Sequence, residues 1–352
     1  MASLEGRILV TGAVGQIGSE LTMALRERWG ANEVVAAGHI KEPMAPLREG
    51  GPFKTLDVRD GPALRRVVER YDIEVVYHMA SVLSASGEEH PMLVWDVNVN
   101  GLLNVLEVAR QAGLHRIFVP SSMAVYGPSV SRDLAPQDAP LYPMTIYGIG
   151  KVAGEAMGSL YWDRFGLDVR GLRYPSIISH RTPPSGRTTD YAVEVFHAAE
   201  TSGHYQSYVR EDTVLPMMYM DDCLRATIDF MDAPRELLTV PTRYNVSGLS
   251  FAMGELVAEI QRHLPGFSCS YVPDGRQAIA DRWPQRMDDR AAQSDWGWSP
   301  SFDLAEFVER MLFAVGGAAD SHGPRDVVEP IAGSSKQPEE ELAMVRQGLM
   351  AP

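Results

Sequence analysis

A doubly wound α/β fold is predicted by two features of this chain. Short apolar runs alternate with longer stretches of helical period through the first half, and a glycine-rich loop separates the first run from the first helix. Strand-length runs fall at residues 7–11, 33–37, 75–78, 116–120 and 168–173, and helical patterns at 16–29, 62–71, 91–112 and 146–165. Each helix carries the chain back across the sheet, so the next strand can run parallel to the last. After Pro183 the rhythm loosens into Pro- and Gly-rich loops, with helical patterns clearest at 251–263 and 304–314. A smaller C-terminal, substrate-side lobe is therefore expected. The expected division is 1–180, with returning segments near 213–247, for the sheet domain, and 181–212 with 248–315 for the second lobe. Residues 316–352, rich in Gly, Ser, Pro and charge, read as a tail or appended helix.

At 352 residues, 45% hydrophobic and 22% charged, the chain has the composition of a folded globular protein with a sizeable core. Its net charge of -14 repels phosphate backbones and anionic lipid, and no local basic patch offsets it, so neither a nucleic acid nor a membrane is an expected partner. Cys223 and Cys269 lie far apart with no Cys/His cluster, which argues against both a disulfide framework and a metal site. The N-terminal residues lead directly into a strand, and no apolar run approaches the ~20 residues of a membrane span. The chain reads as cytoplasmic.

The first strand run is followed at once by Gly12-Ala13-Val14-Gly15-Gln16-Ile17-Gly18, opening a helix. Glycines there let the backbone turn tightly and approach a pyrophosphate, while the helix N-terminus offers free N–H groups and the positive end of its dipole. In NAD-selective sites an acid at the end of the second strand accepts hydrogen bonds from the adenosine ribose. Gly38 stands there instead, followed by His39 and, two residues on, Lys41. Loss of the carboxylate removes a bar to a 2′-phosphate without supplying an arginine to bind it, so NADP stays open beside NAD. Asp57-Val58 is placed either to border the adenine or, through the aspartate, to cap the next helix.

The strongest catalytic signal is Tyr147-Gly148-Ile149-Gly150-Lys151, with Ser121-Ser122 at the end of the fourth strand run. Spacing of four puts Tyr147 and Lys151 on one helix face. A nearby ammonium favours phenolate, so the lysine is expected to lower the tyrosine pKa and make it a base, with Ser122 orienting the reacting oxygen. A Tyr/Lys pair alone is commonplace on amphipathic helices. The glycine loop, the serines and the pair in this order place all three at the carboxyl ends of the strands.

These residues, with His78-Met79-Ala80, Asn98-Val99-Asn100-Gly101 and Ser121-Ser122-Met123-Ala124-Val125-Tyr126-Gly127, resemble the extended short-chain dehydrogenase/reductases, relatives of UDP-galactose 4-epimerase with a Rossmann-type fold. Within them the chain is most similar to the epimerase-like L-threonine 3-dehydrogenases, through segments 83–88, 173–179, 188–193, 215–220, 276–280 and 295–298. The resemblance implies NAD-dependent oxidation of the C3 hydroxyl of L-threonine to 2-amino-3-ketobutyrate. It assigns Tyr147 as base, Lys151 as its tuner and a holder of the nicotinamide ribose, and Ser122 as partner of the reacting oxygen. Gly12, Gly15, Gln16, Ile17, Gly18, Asp57, Val58, Met79, Ala80, Asn98, Tyr174, Pro175 and Ile177 are implied to join Tyr147 and Lys151 around the cofactor. Ser84, Thr188 and Thr189 are implied for the amino-acid pocket with Ser122 and Tyr147, and Trp283 is a candidate to close it. Two departures stand out: Gly38 where the family has Asp, and Pro183-Pro184-Ser185-Gly186-Arg187 where it has a glycine run.

Other conspicuous residues have plainer readings. His78 is expected to pack beside the cofactor, and His197 and His204 lack a second ligand. Asp221-Asp222 read as a helix N-cap, Trp283, Trp296 and Trp298 foremost as packing in the second lobe, and the run Met217-Met218-Tyr219-Met220 as core. Two alternatives share the scaffold. A nucleotide-sugar epimerase or dehydratase would need room for a uridine diphosphate, and a dinucleotide-sensing interaction protein would not need Ser122, Tyr147 and Lys151 together. Apolar residues on more than one face of helices 91–112 and 146–165 suit packing against a second copy, and the resemblance implies a homodimer.

Overall fold

The computed structural model describes residues 6–83, 88–184 and 188–320. The main sheet contains β1 (Arg7–Thr11), β2 (Val34–Gly38), β3 (Phe53–Thr55), β4 (Ile73–His78) and β5 (Arg116–Phe118); after the short β6 (Ser121–Ser122), β7 (Asp168–Arg170) completes it. Its order is β3-β2-β1-β4-β5-β7, with every neighbouring pair parallel. The chain winds outward from β1 in one direction and then, from β4, in the other. The crevice between these two strands is where ligands bind in such sheets.

Alternation along the strands explains the two helical layers. Ile8, Val10, Val34, Ala36, Val75 and Tyr77 pack with Leu21 and Leu25 of helix Gln16–Trp29 and with Phe230 and Met231 of helix Met220–Asp232. Their neighbours Leu9, Val35, Ala37 and Val76 face the other way. They meet Leu64 and Val68 of helix Gly61–Tyr71, Val105 and Leu106 of helix Gly101–Ala112, and Tyr161 of helix Ile146–Phe165.

The remaining strands are β8 (Leu172–Tyr174), β9 (Ser176–Ile178), β10 (His204–Ser207), β11 (Val214–Tyr219), β12 (Tyr244–Asn245), β13 (Leu249–Ala252) and β14 (Ser268–Tyr271). They form the small sheets β13-β11-β9, β12-β8-β6 and β10-β14. Strand β11 joins two cores. Leu215, Met217 and Tyr219 pack with helices Tyr191–Thr201, Met253–His263 and Leu304–Asp320, while Met218 and the following Met220 pack with the main sheet. The methionine-rich run is therefore core, as expected.

Several boundaries differ from the sequence reading. The run 168–173 is broken at Gly171, where a Cβ would lie 2.4 Å from the Thr242 carbonyl oxygen, and β8 leaves for another sheet. The 91–112 helix has a π-type turn at Asp96–Asn100 between its two α-helical parts. Phe251 belongs to β13 opposite Leu215, so the following helix begins at Met253. Asp221 and Asp222 lie inside the first turn of their helix and neither is its cap, which is Tyr219. Buried Asp222 accepts from the Ser301 N–H at 2.9 Å and pairs with Arg225 at the same distance. Trp296 and Trp298 pack into the main-sheet core, not the second lobe. Residues 316–320 of the expected tail continue helix Leu304–Asp320, and the remainder, from 321 onward, lies outside the described residues. No helix among the described residues is long and apolar enough to cross a membrane.

One buried charge cluster ties the sheet edge to the helix beside it. Arg170, fully buried, donates to both carboxylate oxygens of Asp168 at 2.8 and 2.9 Å and to the Ala233 carbonyl at 2.7 Å, while Arg116 donates to the same carboxylate at 2.8 Å. Asp168→Asn would leave two guanidinium groups without their counter-charge. We expect a loss of about 3–5 kcal/mol, read as a lower urea midpoint at unchanged steepness.

Candidate active site

The glycine loop has the geometry of a dinucleotide cradle. Gly12 adopts φ +66°, which side-chain-bearing residues rarely occupy, and a Cβ there would lie 2.4 Å from the Ala80 nitrogen. A Cβ at Gly18 would lie 2.2 Å from the Gly12 oxygen. The loop is held by Ala13 N–H to Ala37 O at 2.9 Å and Gly15 N–H to Gly12 O at 3.0 Å. Helix Gln16–Trp29 has no side-chain cap and no acid in its first turn, leaving its N–H groups and dipole open to phosphate. The residues present thus fit a pyrophosphate. Gln16 reaches across the crevice to the Ile177 carbonyl at 3.5 Å.

His78, at the end of β4, is buried against the Thr11 hydroxyl at 2.9 Å, and burial with the nearby Lys151 charge pushes its pKa down to about 3. It is a neutral packing residue. Met79 donates to the Thr11 carbonyl at 3.0 Å, extending the strand into the loop that holds Ala80. Asn98, carried on the π-type turn, uses both ends of its amide on Val82, accepting at 2.8 Å and donating at 2.9 Å. Its side chain therefore fixes the loop flanking the crevice.

Beside Gly38, Asp57 lies 3.4 Å from the His39 ring and is gripped by Arg59 at 2.6–3.0 Å. Burial works to raise the Asp57 pKa, but the Arg59 hydrogen bonds and charge, with His39, bring it below its ordinary value. The following helix is capped by Asp60, which accepts from Ala63 N–H at 2.8 Å, so the capping alternative for Asp57 is excluded. Val58 is buried in the core.

The Ser122, Tyr147 and Lys151 side chains converge. Thr145 caps helix Ile146–Phe165 by accepting from Gly148 N–H at 3.0 Å, which fixes the turn carrying Tyr147. Gly148 lets this helix approach the Met123–Val125 turn so closely that a Cβ would lie 2.3 Å from the Ala124 oxygen. Ser122, which accepts from Ala124 N–H at 3.2 Å, thereby comes near enough to the Tyr147 hydroxyl to favour its ionised form. Lys151 donates to the Pro120 carbonyl at 2.7 Å, its nitrogen 5.4 Å from the centre of the Tyr147 ring.

The electrostatics correct one expectation. Burial pushes the Tyr147 hydroxyl up to about 12, with the Ser122 bond opposing it, so the lysine does not by itself make the tyrosine a phenolate. Burial also brings Lys151 down from 10.5 to about 8 against the attraction of Glu155. Sequence reasoning missed Glu155. It is buried, receives Arg173 at 2.8 and 2.7 Å and Ser121 at 2.5 Å, and stands four residues after Lys151 on the same helix face. That spacing was the available signal.

The other expected residues are less convergent. Tyr174 turns its side chain into the core, with its hydroxyl bonded to Thr227 and its ring beside Phe118, so only its backbone is available to a cofactor. Pro175 is buried and Ile177 partly so, on β9. Thr188 and Thr189 are half-buried immediately before helix Tyr191–Thr201, and Trp283 packs between two cores. Ser84 and the segment 185–187 lie outside the described residues. No group of three or more His, Cys, Asp or Glu among the described residues is arranged to hold a metal ion.

The chain is similar to known proteins along most of its length. Residues 8–247 match the NAD dependent epimerase/dehydratase family. The chain is 46% identical to the mitochondrial L-threonine 3-dehydrogenase of Bos taurus, over 87% of this chain and 82% of that protein. It superposes on L-threonine dehydrogenase from Clostridium difficile with a TM-score of 0.87 at 39% identity, covering 89% of this chain and 98% of the other. A monomeric L-threonine 3-dehydrogenase from a metagenome gives 0.83 at 46% identity, covering 88% and 99%.

The lysine pKa has a measurable consequence. A cationic group with a pKa lowered on folding destabilises the native state fully at pH below about 8, and that cost disappears as pH rises toward 10.5. Its size is up to about 3 kcal/mol. Lys151→Met is therefore expected to unfold at higher denaturant than the parent at pH 7, with the gap closing between pH 8 and pH 10.5. A gap independent of pH would show that the lysine is not strained in this way.

Proposed function

Because the chain belongs to the NAD dependent epimerase/dehydratase family, we propose that it oxidises L-threonine at the C3 hydroxyl to 2-amino-3-ketobutyrate with NAD as the nicotinamide dinucleotide, NADP standing beside it because Gly38 replaces the expected acid. The convergence of Ser122, Tyr147 and Lys151 beside a glycine cradle carries this reading, and the likeness to threonine dehydrogenases along most of the chain selects the substrate.

In the reaction Tyr147 takes the proton of the substrate hydroxyl, and Ser122, beside the Tyr147 hydroxyl, orients the same oxygen. Lys151 places a cation near the ring, favouring phenolate as the proton moves and holding the nicotinamide ribose. Bound in the crevice, the nicotinamide supplies the hydride acceptor. Gly12, Gly15, Gln16, Ile17 and Gly18 hold the pyrophosphate. Asp57 and the backbone of Val58 would border the adenosine, and Met79, Ala80, Pro175 and Ile177 would line the remainder with Tyr174 through its backbone and Asn98 by holding the Val82 loop. Ser84, Thr188, Thr189 and Trp283 form the amino-acid pocket. Residues 1–180 with 213–247 make the cofactor domain in this scheme, and 181–212 with 248–315 the substrate side. Exposed Met92, Trp95, Leu103, Ile149 and Leu160 support pairing of two copies through helices Pro91–Trp95, Gly101–Ala112 and Ile146–Phe165. Sedimentation velocity decides between that dimer and a monomer.

Purified protein with L-threonine and NAD is expected to generate the near-ultraviolet absorbance of reduced nicotinamide, with kcat falling about 10²–10⁴-fold in Tyr147→Phe. No reduction with either dinucleotide would overturn the assignment and direct the search to UDP-sugars. The sign of the pH dependence follows from the tyrosine. With the hydroxyl held near 12, the phenolate fraction grows with pH, so kcat/KM is expected to rise from pH 7 to pH 9 in the parent. A flat profile would assign the base elsewhere.

A further inference from the structure

At the carboxyl end of β2, where a carboxylate separates NAD from NADP by accepting bonds from the ribose and repelling a 2′-phosphate, this chain has Gly38. The glycine is not required by the backbone, since Gly38 is not among the positive-φ residues. It is required by its neighbours. A Cβ at 38 would lie 2.9 and 3.1 Å from the two Val14 methyl carbons and 3.3 Å from the edge of the Phe53 ring. Val14 belongs to the glycine loop, held on either side of it by the Ala13 to Ala37 and Gly15 to Gly12 bonds, and its β-branched side chain has few rotamers in which to retreat.

Among the described residues, the acids nearest this point are Asp57, which is already paired, and the exposed Glu42, four residues beyond Gly38 and not at the strand end where the selective carboxylate would stand. Asp57 is neutralised by Arg59 through both carboxylate oxygens and faces His39, while Arg59 also lies 3.6 Å from Asp96. The exposed chain leaving Gly38 carries His39 and Lys41 together with Glu42, so it has no excess of negative charge. Selectivity against a charged analogue needs a repulsive element, and here it is replaced by a valine.

We propose that Val14 and Gly38 act as a coupled pair that removes discrimination at the ribose, so that the site takes NADP about as readily as NAD. The pair defines the specificity because an acid cannot return at 38 while the valine remains. This rests on the dinucleotide reading of the glycine loop and is independent of the substrate oxidised.

The test is calorimetric titration of substrate-free protein with NAD and with NADP at one fixed salt concentration. The parent is expected to give dissociation constants within about tenfold of each other. Gly38→Asp alone should weaken both dinucleotides through the collision with Val14. Val14→Gly with Gly38→Asp should regain NAD and bind NADP at least about a hundredfold more weakly, a non-additive outcome for two side chains in contact. A parent preference for NAD above about tenfold overturns the proposal, as does a Gly38→Asp variant that discriminates as well as the pair. Binding of both dinucleotides without threonine-dependent reduction would remove the threonine assignment and leave this one standing. Binding of neither would overturn both.

Discussion

A parallel strand that is apolar on both faces must be covered by helices on both sides of its sheet, because βαβ connections leave neither face to solvent. Leu9 on one face of β1, and Ile8 and Val10 on the other, impose that demand at the centre of the sheet. The chain meets it by winding from β1 through β2 to β3 and then restarting at β4. Reversal opens the crevice between β1 and β4, where the glycine loop and the β4 end face each other so closely that no Cβ fits at Gly12. The site's position thus follows from the burial of these strands.

Within the crevice, function is installed at the expense of stability. Lys151 is an ammonium partly removed from water, with one carbonyl partner and the field of Glu155 holding it. Glu155 is itself committed to Arg173 and Ser121, so its help to the lysine is shared. Arg173 continues to the Tyr126 hydroxyl, which is bonded to Asn245 on β12. A connected set of buried polar groups therefore runs from the lysine to a strand well beyond the first half of the chain. Networks of this kind rigidify a site when fully paired and are costly when one member is removed. The tyrosine has been left with a hydroxyl that favours its proton, so the charge balance for turnover is completed only when ligands arrive.

The long elements were legible because their signals are local. Helix Ile146–Phe165 has a threonine cap and an αL glycine at its end, and helix Gln16–Trp29 begins straight after the glycine loop, so both match the pattern limits. Strand β3 has only Phe53, Lys54 and Thr55, too short to show alternation, and it exists because β2 offers it an edge. The break at Gly171 depends on a carbonyl 71 residues later, at Thr242, which no local window contains. At the site, the spacing of Tyr147 and Lys151 exposed the pair, while the direction of the tyrosine pKa depends on burial, a property of the assembled crevice. Tyr174 shows the same limit: its sequence neighbourhood suggested the cofactor, but its ring is core because β8 presents it to Phe118 and Thr227.

Backbone contact also sets how precisely the reacting groups are held. Ser122 ends β6 and caps the Met123–Val125 turn, Tyr147 is on the helix opposite, and Gly148 brings the two backbones together with no intervening side chain. Side chains packed between two elements can re-rotate to absorb a displacement, whereas a carbonyl against a Cα cannot. The serine–tyrosine distance is thereby tied to main-chain positions, which suits a proton transfer that requires hydrogen-bond contact. A different close approach is made where β2 meets the glycine loop, with the Val14 side chain lying against the bare Gly38 Cα. There a branched side chain with few rotamers, not a carbonyl, limits which residue can stand beside the ribose, so a bare glycine serves catalytic alignment at one end of the crevice and, in the proposal above, cofactor choice at the other.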